Sequence, residues 1–141
     1  MNEKASWQHF HHVADIGIKG CGNSVEQAFT QAAIAMTAVI TDPRLIDNKI
    51  CIDVEFESTN LEYLFIDWLN SLVYEMATRH MIFNKFKIQI HDNYLTAKVC
   101  GERINNEKHQ PAVEIKGATL TELKVNKDKE GSWCAQCVVD V

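Results

Sequence analysis

The sequence predicts an α+β fold, with two amphipathic helices packed on a largely antiparallel β-sheet. Two segments, residues 25–40 and 61–76, repeat apolar side chains at three- and four-residue spacing, which is the period of a helix. Most other apolar residues alternate with polar ones, which is the period of a strand. Because nearly all predicted strands follow the second helix, we expect the sheet to form mainly from the second half of the chain.

Length and composition fit one domain, residues 1–141. The chain has 141 residues, of which 46% are hydrophobic, enough to build one core. Its net charge is −5, so it lacks the basic surface of an autonomous nucleic-acid binder, and any link to RNA should run through a partner. No apolar run reaches the roughly 20 residues that span a membrane. Since the polar start is neither a signal nor a transit peptide, we expect a soluble, cytoplasmic protein.

Each helix has its own start signal. Residues 24–27 and 59–62 both have the form of a capping box, and the sequence Thr41-Asp42-Pro43 ends the first helix. Alternating residues 50–56 predict a strand between the helices. The later predicted strands, separated by turn residues, are 86–90, 94–100, 113–115, 123–125 and 133–141.

The cysteines and the N-terminal histidines predict no closed metal site. Five cysteines are an odd number without regular spacing, which favours reduced thiols. Cys134 and Cys137 form a C-x-x-C, but residues three apart in a strand point to opposite faces. His9 and His11 would share a strand face, yet no nearby thiol or carboxylate completes a zinc site. We expect structural or exposed histidines.

One acid stands out near the start. Asp15 lies within the apolar, strand-like residues 12–18, and burying an unpaired carboxylate costs several kcal/mol. The carboxylate must therefore be solvated, accept hydrogen bonds in a turn, or face a cation. The residues alone leave these alternatives open. A second acid, Asp140, precedes the last residue, Val141, in a strand-like run of valines.

Several motifs together resemble the archease family. The resemblance starts at His12-Val13-Ala14-Asp15-Ile16-Gly17 and continues through residues 24–33 and the second helix, residues 62–75. It includes Gly101-Glu102, similar to the family's glycine-glutamate turn, the late strand 114–119, and the ending Asp140-Val141. The match is collinear over nearly the whole chain. One position departs from the pattern, because Thr121 stands where archeases commonly carry a histidine.

The resemblance implies a metal site. In archeases the first-motif aspartate, the penultimate aspartate and the terminal residue converge on a divalent cation, which assigns Asp15, Asp140 and Val141 as ligands. Carboxylate oxygens suit calcium, the expected ion, and also accept magnesium or manganese. Three clustered carboxylates without a cation would repel one another, which also favours a bound ion. His12, Asp67 and Glu102 are further candidates for contact with a partner, although Glu102 and His109 would more commonly be merely exposed.

The resemblance also implies a function. Archeases are accessory factors of the tRNA-splicing RNA ligase, which is guanylylated from GTP and joins 2′,3′-cyclic-phosphate or 3′-phosphate ends to 5′-hydroxyl ends. This chain would then promote guanylylation and multiple turnover without catalysing bond formation itself. Two other classes stay open. One is a metal-dependent hydrolase with His12 as general base, for which supporting motifs are missing. The other is a general chaperone or interaction module with an apolar groove.

Overall fold

A computed structural model describes residues 5–12 and 14–141. Within these residues, eight strands and three helices follow one another, and a 3₁₀ turn at Pro43–Leu45 follows the first helix. The helices are α1 (Val25–Ile40), α2 (Leu61–Arg79) and the short α3 (Asn106–His109). The strands are β1 (Ser6–His12), β2 (Asp15–Gly22), β3 (Ile50–Glu57), β4 (Met81–His91), β5 (Tyr94–Arg103), β6 (Gly117–Ala118), β7 (Lys124–Lys127) and β8 (Trp133–Asp140).

The strands form two antiparallel sheets. One sheet has the order β1-β2-β8-β6, with β7 also pairing β8, and the other has the order β3-β5-β4. The predicted α+β class is therefore confirmed. The division into two sheets was not predicted, because alternation shows which residues share a face and not which strands are neighbours. In the larger sheet, the last strand, β8, lies at the centre.

Helix α1 packs tightly on the larger sheet. Its start is capped by Ser24, whose Oγ accepts the Gln27 N–H at 3.1 Å. A Cβ atom added at Gly20 of β2 would lie 2.2 Å from the Ala32 nitrogen, so only glycine permits this approach of helix and strand. The inward-facing residues of β2 and β8 meet this helix, including Ile18 and Cys137, which are fully buried.

Helix α2 completes the core between the two sheets. The amide oxygen of Asn60 caps it by accepting the Tyr63 N–H at 2.9 Å. Trp68 is fully buried and donates its indole N–H to the Phe29 carbonyl of α1 at 3.1 Å. Burial of a large aromatic ring with its polar atom satisfied stabilises the packing of the two helices. None of the helices in the described residues is long and apolar enough to cross a membrane.

The structure corrects two local features that the sequence predicted, a strand at residues 113–115 and a turn at Gly101-Glu102. Residues 113–115 form no strand; they line a groove instead, and Ile115 is buried there. Gly101-Glu102 is not a turn, because β5 continues through both residues to Arg103. A Cβ atom at Gly101 would lie 1.9 Å from the Ile82 oxygen, so glycine is needed for the approach of β4 and not for a reversal of the chain.

The prediction of five reduced thiols is also wrong. The structure contains the disulfides Cys21–Cys134 and Cys51–Cys100, and Cys137 is free and buried. Each disulfide joins two residues that lie directly opposite each other in neighbouring strands. The partners are far apart in sequence, so their spacing could not reveal the pairing. The interpretation of the C-x-x-C is confirmed, since Cys134 and Cys137 do not pair.

Candidate functional site

The pairing of β2 with β8 brings two acids from opposite ends of the sequence together. The facing residues run from Gly22 opposite Trp133 to Ile16 opposite Val139, and the next position in this register places Asp15 opposite Asp140. On the other side of β2, Asp15 pairs with His12 of β1. Directly opposed residues of an antiparallel pair point to the same face, so all three side chains share one face of the sheet.

This face lies away from helix α1. The alternate residues of the same strands, Ile18 and Val139 among them, point inward and are fully buried. The Asp140 side chain is exposed and Asp15 is half-buried. Ion pairs among the described residues all involve other side chains, so neither carboxylate is neutralised by a lysine or arginine. The sequence did not decide whether the Asp15 carboxylate was solvated, bonded within a turn or facing a cation. In the structure the residue is partly accessible to solvent, which allows solvation and also allows contact with an ion.

Val141 adds a third group to this end of the sheet. Its side chain packs against the core, which fixes the residue beside Asp140. The Lys116 N–H donates to the Asp140 carbonyl at 2.8 Å. This hydrogen bond links the end of β8 to the residue before β6. We call Asp15, Asp140 and Val141 the acid edge. The β2–β8 register places Asp15 opposite Asp140, and Val141 follows Asp140 in the chain; their assignment to a metal stays a prediction.

His12 carries an unsatisfied polar atom. Its Nδ1 is buried and has no hydrogen-bond partner in the described part of the chain. Most buried polar atoms in proteins have a partner, so an orphaned nitrogen on the residue that faces Asp15 fits a site that receives a further group. His9 behaves differently, since its Nε2 lies 2.8 Å from the Ala35 carbonyl, which confirms the prediction of a structural histidine.

The oxygen atoms of the acid edge are of the kind that binds a divalent cation, but few side chains are placed to share one. Within residues 5–12 and 14–141, no three side chains of His, Cys, Asp or Glu are placed to share one ion. The ligand set of the resemblance, Asp15, Asp140 and Val141, includes only two such side chains. Oxygen donors of this kind suit calcium, magnesium and manganese, which also retain water ligands. The residues of the acid edge fit such an ion.

Sequence reasoning missed Asn70, which supports the acid edge from helix α2. Its Oδ1 accepts the Ala118 N–H of β6 at 2.9 Å. Gly117, the neighbour of Ala118, pairs with Asp140, so Asn70 anchors the strand that flanks the acid. A polar residue within the apolar stripe of α2 was the available signal, but the sequence does not identify its partner.

Thr121 also lies near the acid edge. Its carbonyl accepts the Val138 N–H at 3.0 Å, and Thr119 donates both its N–H and its hydroxyl to the Val138 carbonyl. Val138 is two residues before Asp140 and on the same face of β8. The position at which archeases commonly carry a histidine therefore flanks the acid edge, and here it presents an exposed threonine.

Asp67 lies on the exposed side of α2. It accepts a hydrogen bond from the Ser58 hydroxyl, which links the helix to the end of β3. This contact belongs to the smaller sheet and its connection to α2, and Asp67 is not among the groups joined at the acid edge. The prediction that it contacts a partner stays a prediction.

Glu102 is buried, which corrects the expectation that this acid and His109 are exposed. The Glu102 Oε2 accepts hydrogen bonds from the Asp47 N–H at 2.8 Å, the Lys108 ammonium at 2.7 Å and the His109 ring at 3.0 Å. Lys49 lies 3.5 Å from Oε1. We call these five residues the Glu102 cluster. It joins β5 to the loop before β3 and to α3, so the carboxylate has a structural role, and contact with a partner is a prediction that its burial does not favour.

The protonation states within the cluster follow from its hydrogen bonds. The Asp47 N–H and the Lys108 ammonium favour the carboxylate and lower the pKa of Glu102 to about 2. The Nδ1 of His109 accepts the Asn105 N–H at 2.9 Å, so this nitrogen carries no proton and Nε2 donates to Glu102. His109 is buried and neutral, and the cluster holds a fixed carboxylate whose hydrogen-bonding capacity is taken up by its own chain.

Comparison with known proteins identifies relatives over almost the full length. The model of the archease protein family matches residues 7–141. The chain is 37% identical to protein archease from Pyrococcus furiosus and 36% identical to that from Thermococcus kodakarensis, each over 96% of this chain and 98% of the relative.

Two solved structures share the fold. The solution structure of Methanobacterium thermoautotrophicum protein 1598 is 30% identical with a TM-score of 0.79, and the match covers 96% of this chain and 99% of that one. The crystal structure of an archease, a possible chaperone, from Thermotoga maritima is 20% identical with a TM-score of 0.64, over 95% and 96% of the two chains.

Proposed function

Because this chain belongs to the archease family, we propose that it is an accessory protein of the tRNA-splicing RNA ligase in the cytoplasm. In this role it promotes the GTP-dependent guanylylation of the ligase and its multiple turnover. The ligase joins the 2′,3′-cyclic-phosphate or 3′-phosphate end of one RNA to the 5′-hydroxyl end of another. The accessory protein catalyses no bond formation, and RNA reaches it only through the ligase.

The observation that carries this proposal is the convergence of Asp15, Asp140 and Val141 at one end of the β2–β8 pair. A divalent cation, with calcium expected first and magnesium or manganese compatible, would be held by the two aspartates and the Val141 carboxylate. When bound, the cation would supply positive charge that attracts phosphate oxygens. The aspartates supply the anionic oxygens, and the central position of β8 keeps them at fixed separation.

The acid edge is suited to meeting a partner. Asp140 is exposed, and no described lysine or arginine forms an ion pair with either aspartate. With a net charge of −5, the chain is attracted to a basic surface, such as one that binds GTP and RNA phosphates. The acids then present an ion, or their own charge, to that surface.

A groove favours a second candidate, an interaction module that binds apolar segments. Its volume is about 560 Å³, and apolar side chains from α1, α2 and residues 111–115 line it. An assay of client aggregation tests this function. Charge-neutral variants of the acid edge should leave apolar binding unchanged, whereas they should abolish stimulation of a ligase. The hydrolase alternative requires turnover of a nucleotide or phosphoester by the pure protein alone.

The experiment that tests the proposal measures GTP-dependent guanylylation of the cognate ligase. Wild type is compared with Asp15→Asn, Asp140→Asn and a variant with residues added after Val141. Asp53→Asn is the matched control, because it removes an equal charge from an exposed acid of β3, in the smaller sheet and outside the acid edge. Circular dichroism verifies the fold of each protein.

We expect stimulation by wild type and Asp53→Asn, and loss of at least about tenfold in the three acid-edge variants, which corresponds to roughly 1.4 kcal/mol. Equal stimulation by all folded proteins would show that the acid edge has no part in activation. Absence of stimulation by wild type would contradict the accessory role itself.

A further inference from the structure

Four of the five cysteines lie in two pairs that the proposed function does not use. Cys21 and Cys134 face each other across β2 and β8, with Cα atoms 4.2 Å apart. Cys51 and Cys100 face each other across β3 and β5, with Cα atoms 4.0 Å apart. These separations are close to those of the narrow residue pairs of an antiparallel sheet, about 4.5 Å.

The sheets therefore keep each pair of sulfur atoms within reach whether or not the bond is formed. The strands around each pair are held by backbone hydrogen bonds on both sides, so reduction leaves the thiols facing each other. Reagents can also reach the pairs, because Cys51 is exposed and both Cys21 and Cys134 are half-exposed. Proximity and access are the two requirements for reversible thiol–disulfide exchange.

The fifth cysteine is an internal contrast. Cys137 is fully buried on the opposite face of β8, and burial raises the pKa of its thiol to about 12. The thiolate is the reactive form of cysteine, so Cys137 should be inert in the folded protein. It also lies three residues from Cys134, and the alternation of the strand keeps the two sulfur atoms on different faces.

We propose that the two cross-strand cysteine pairs form reversible disulfides, and that Cys21–Cys134 is a redox-controlled staple of the β2–β8 pair. The staple and the acid edge lie on the same face of the same two strands, at opposite ends of the pairing. A slip of one residue would turn every side chain of a strand to the other face. Forming the disulfide thus adds a covalent bond to the register that already places Asp15 opposite Asp140, and makes a slip of that register harder.

The exchange partner is a small disulfide such as oxidised glutathione. A thiolate of one pair attacks a sulfur atom of oxidised glutathione, forming a mixed disulfide and releasing one glutathione thiolate. The facing thiolate then attacks the protein sulfur of the mixed disulfide, forms the cross-strand bond and releases the second glutathione. Two protein thiols are oxidised, one glutathione disulfide is reduced, and the two thiol protons end on the released glutathione molecules.

The staple should stabilise the fold strongly. Cys21 and Cys134 are 113 residues apart and Cys51 and Cys100 are 49 apart, so both bonds close long loops in the unfolded chain. Loop closure of this length predicts that forming Cys21–Cys134 raises Tm by about 10 °C. The shorter loop predicts a slightly smaller rise for Cys51–Cys100.

The experiment equilibrates the full chain with mixtures of reduced and oxidised glutathione, then blocks free thiols and identifies them by peptide mass spectrometry. Melting curves are recorded on the same samples. The matched variants are Cys21→Ser with Cys134→Ser, and Cys51→Ser with Cys100→Ser, each measured oxidised and reduced. Reduced wild type serves as the comparison if a serine variant does not fold.

We expect the four paired cysteines to pass reversibly between blocked and disulfide-linked forms, with Cys137 unmodified until the protein unfolds. Oxidised wild type should melt about 10 °C above the Cys21→Ser, Cys134→Ser variant, and reduction should remove most of that difference. The proposal is overturned if Cys21 and Cys134 stay fully alkylatable in oxidised glutathione. It is equally overturned if oxidised and reduced wild type have the same Tm.

Discussion

The acid edge and the Glu102 cluster place carboxylates in opposite circumstances. Glu102 is buried and accepts hydrogen bonds from a backbone N–H, an ammonium and an imidazole of its own chain. Asp15 and Asp140 lie open to solvent with no ion pair to a described side chain. The comparison shows two roles for a carboxylate. One that accepts hydrogen bonds from donors of its own chain stabilises the fold. One whose oxygens have no such donors is available to bind an ion or a partner.

The largest expected effect comes from Glu102→Gln. The amide oxygen can still accept at the Oε2 position, but the side chain is neutral and its NH₂ group then faces the Lys49 ammonium, so Lys108 and Lys49 lose their counter-charge. Losing one partner of a buried charged network costs about 3 kcal/mol of unfolding free energy. Urea denaturation measures this loss. Asp140→Asn is the matched acid-to-amide change at the acid edge, and an equal loss there would remove the distinction between the two regions.

The second effect is expected from lowering the pH, which should weaken the Glu102 cluster. The folded-state pKa of Glu102, about 2, lies below its ordinary value of 4.5. As the pH falls, Glu102 is therefore protonated in the unfolded chain before it is protonated in the folded protein. Its contribution to the free energy of unfolding is fully present above pH 4.5 and is lost as the pH falls toward 2. The loss amounts to about 3 kcal/mol.

Urea midpoints of wild type and Glu102→Gln, measured between pH 7 and pH 2, test this window. The difference between the two proteins should narrow as the pH falls, since the other carboxylates titrate in both. A difference that stays constant to pH 2 would show that the Glu102 charge does not stabilise the fold.

An intermediate effect is expected where α2 supports the acid edge. Asn70→Ala removes the acceptor of the Ala118 N–H and should cost about 1 kcal/mol. Hydrogen exchange at the Ala118 amide should accelerate with it. Asn70→Asp retains an oxygen acceptor and should restore much of the protection. If Asn70→Ala left exchange at Ala118 unchanged, Asn70 would not anchor β6.

The smallest effect is expected at the acid edge itself. In the presence of a chelator, Asp15→Asn should change the unfolding free energy by no more than about 0.5 kcal/mol, because no described ion pair is lost. Any change should be stabilising, since the substitution relieves repulsion from Asp140. Thermal denaturation measures the shift. A loss above about 1 kcal/mol would mean that Asp15 holds the fold as Glu102 does.

Much of the local structure could be predicted from the sequence because its causes are local. Ser24 caps α1 where its capping box indicated, whereas α2 is capped by Asn60, one residue after the Thr59 of the predicted box. The alternation of residues 50–56 gave β3 nearly to its ends. The predicted strand at residues 113–115 does not form, because a short alternation of apolar and polar residues can also line a groove, and a strand exists only where a neighbour supplies its hydrogen bonds.

The candidate site was predictable in part. The family resemblance pointed to Asp15, Asp140 and Val141, and the structure places all three at one end of the β2–β8 pair. The support from Asn70, the burial of Glu102 and the cysteine pairs were beyond sequence reasoning. Each depends on which groups become neighbours across the core, and residue spacing carries no information on that.

The sequence by itself determined the helices, the faces of the strands and the presence of acids at the ends of β2 and β8. These follow from side-chain period and local hydrogen bonding, which act within a few residues. Only the tertiary structure decided that β8 lies between β2 and β6, that Cys21 meets Cys134, and that Glu102 is enclosed while Asp140 is open. The physical reason is that strand neighbours are chosen by hydrophobic burial and register over the whole chain, which no local segment contains.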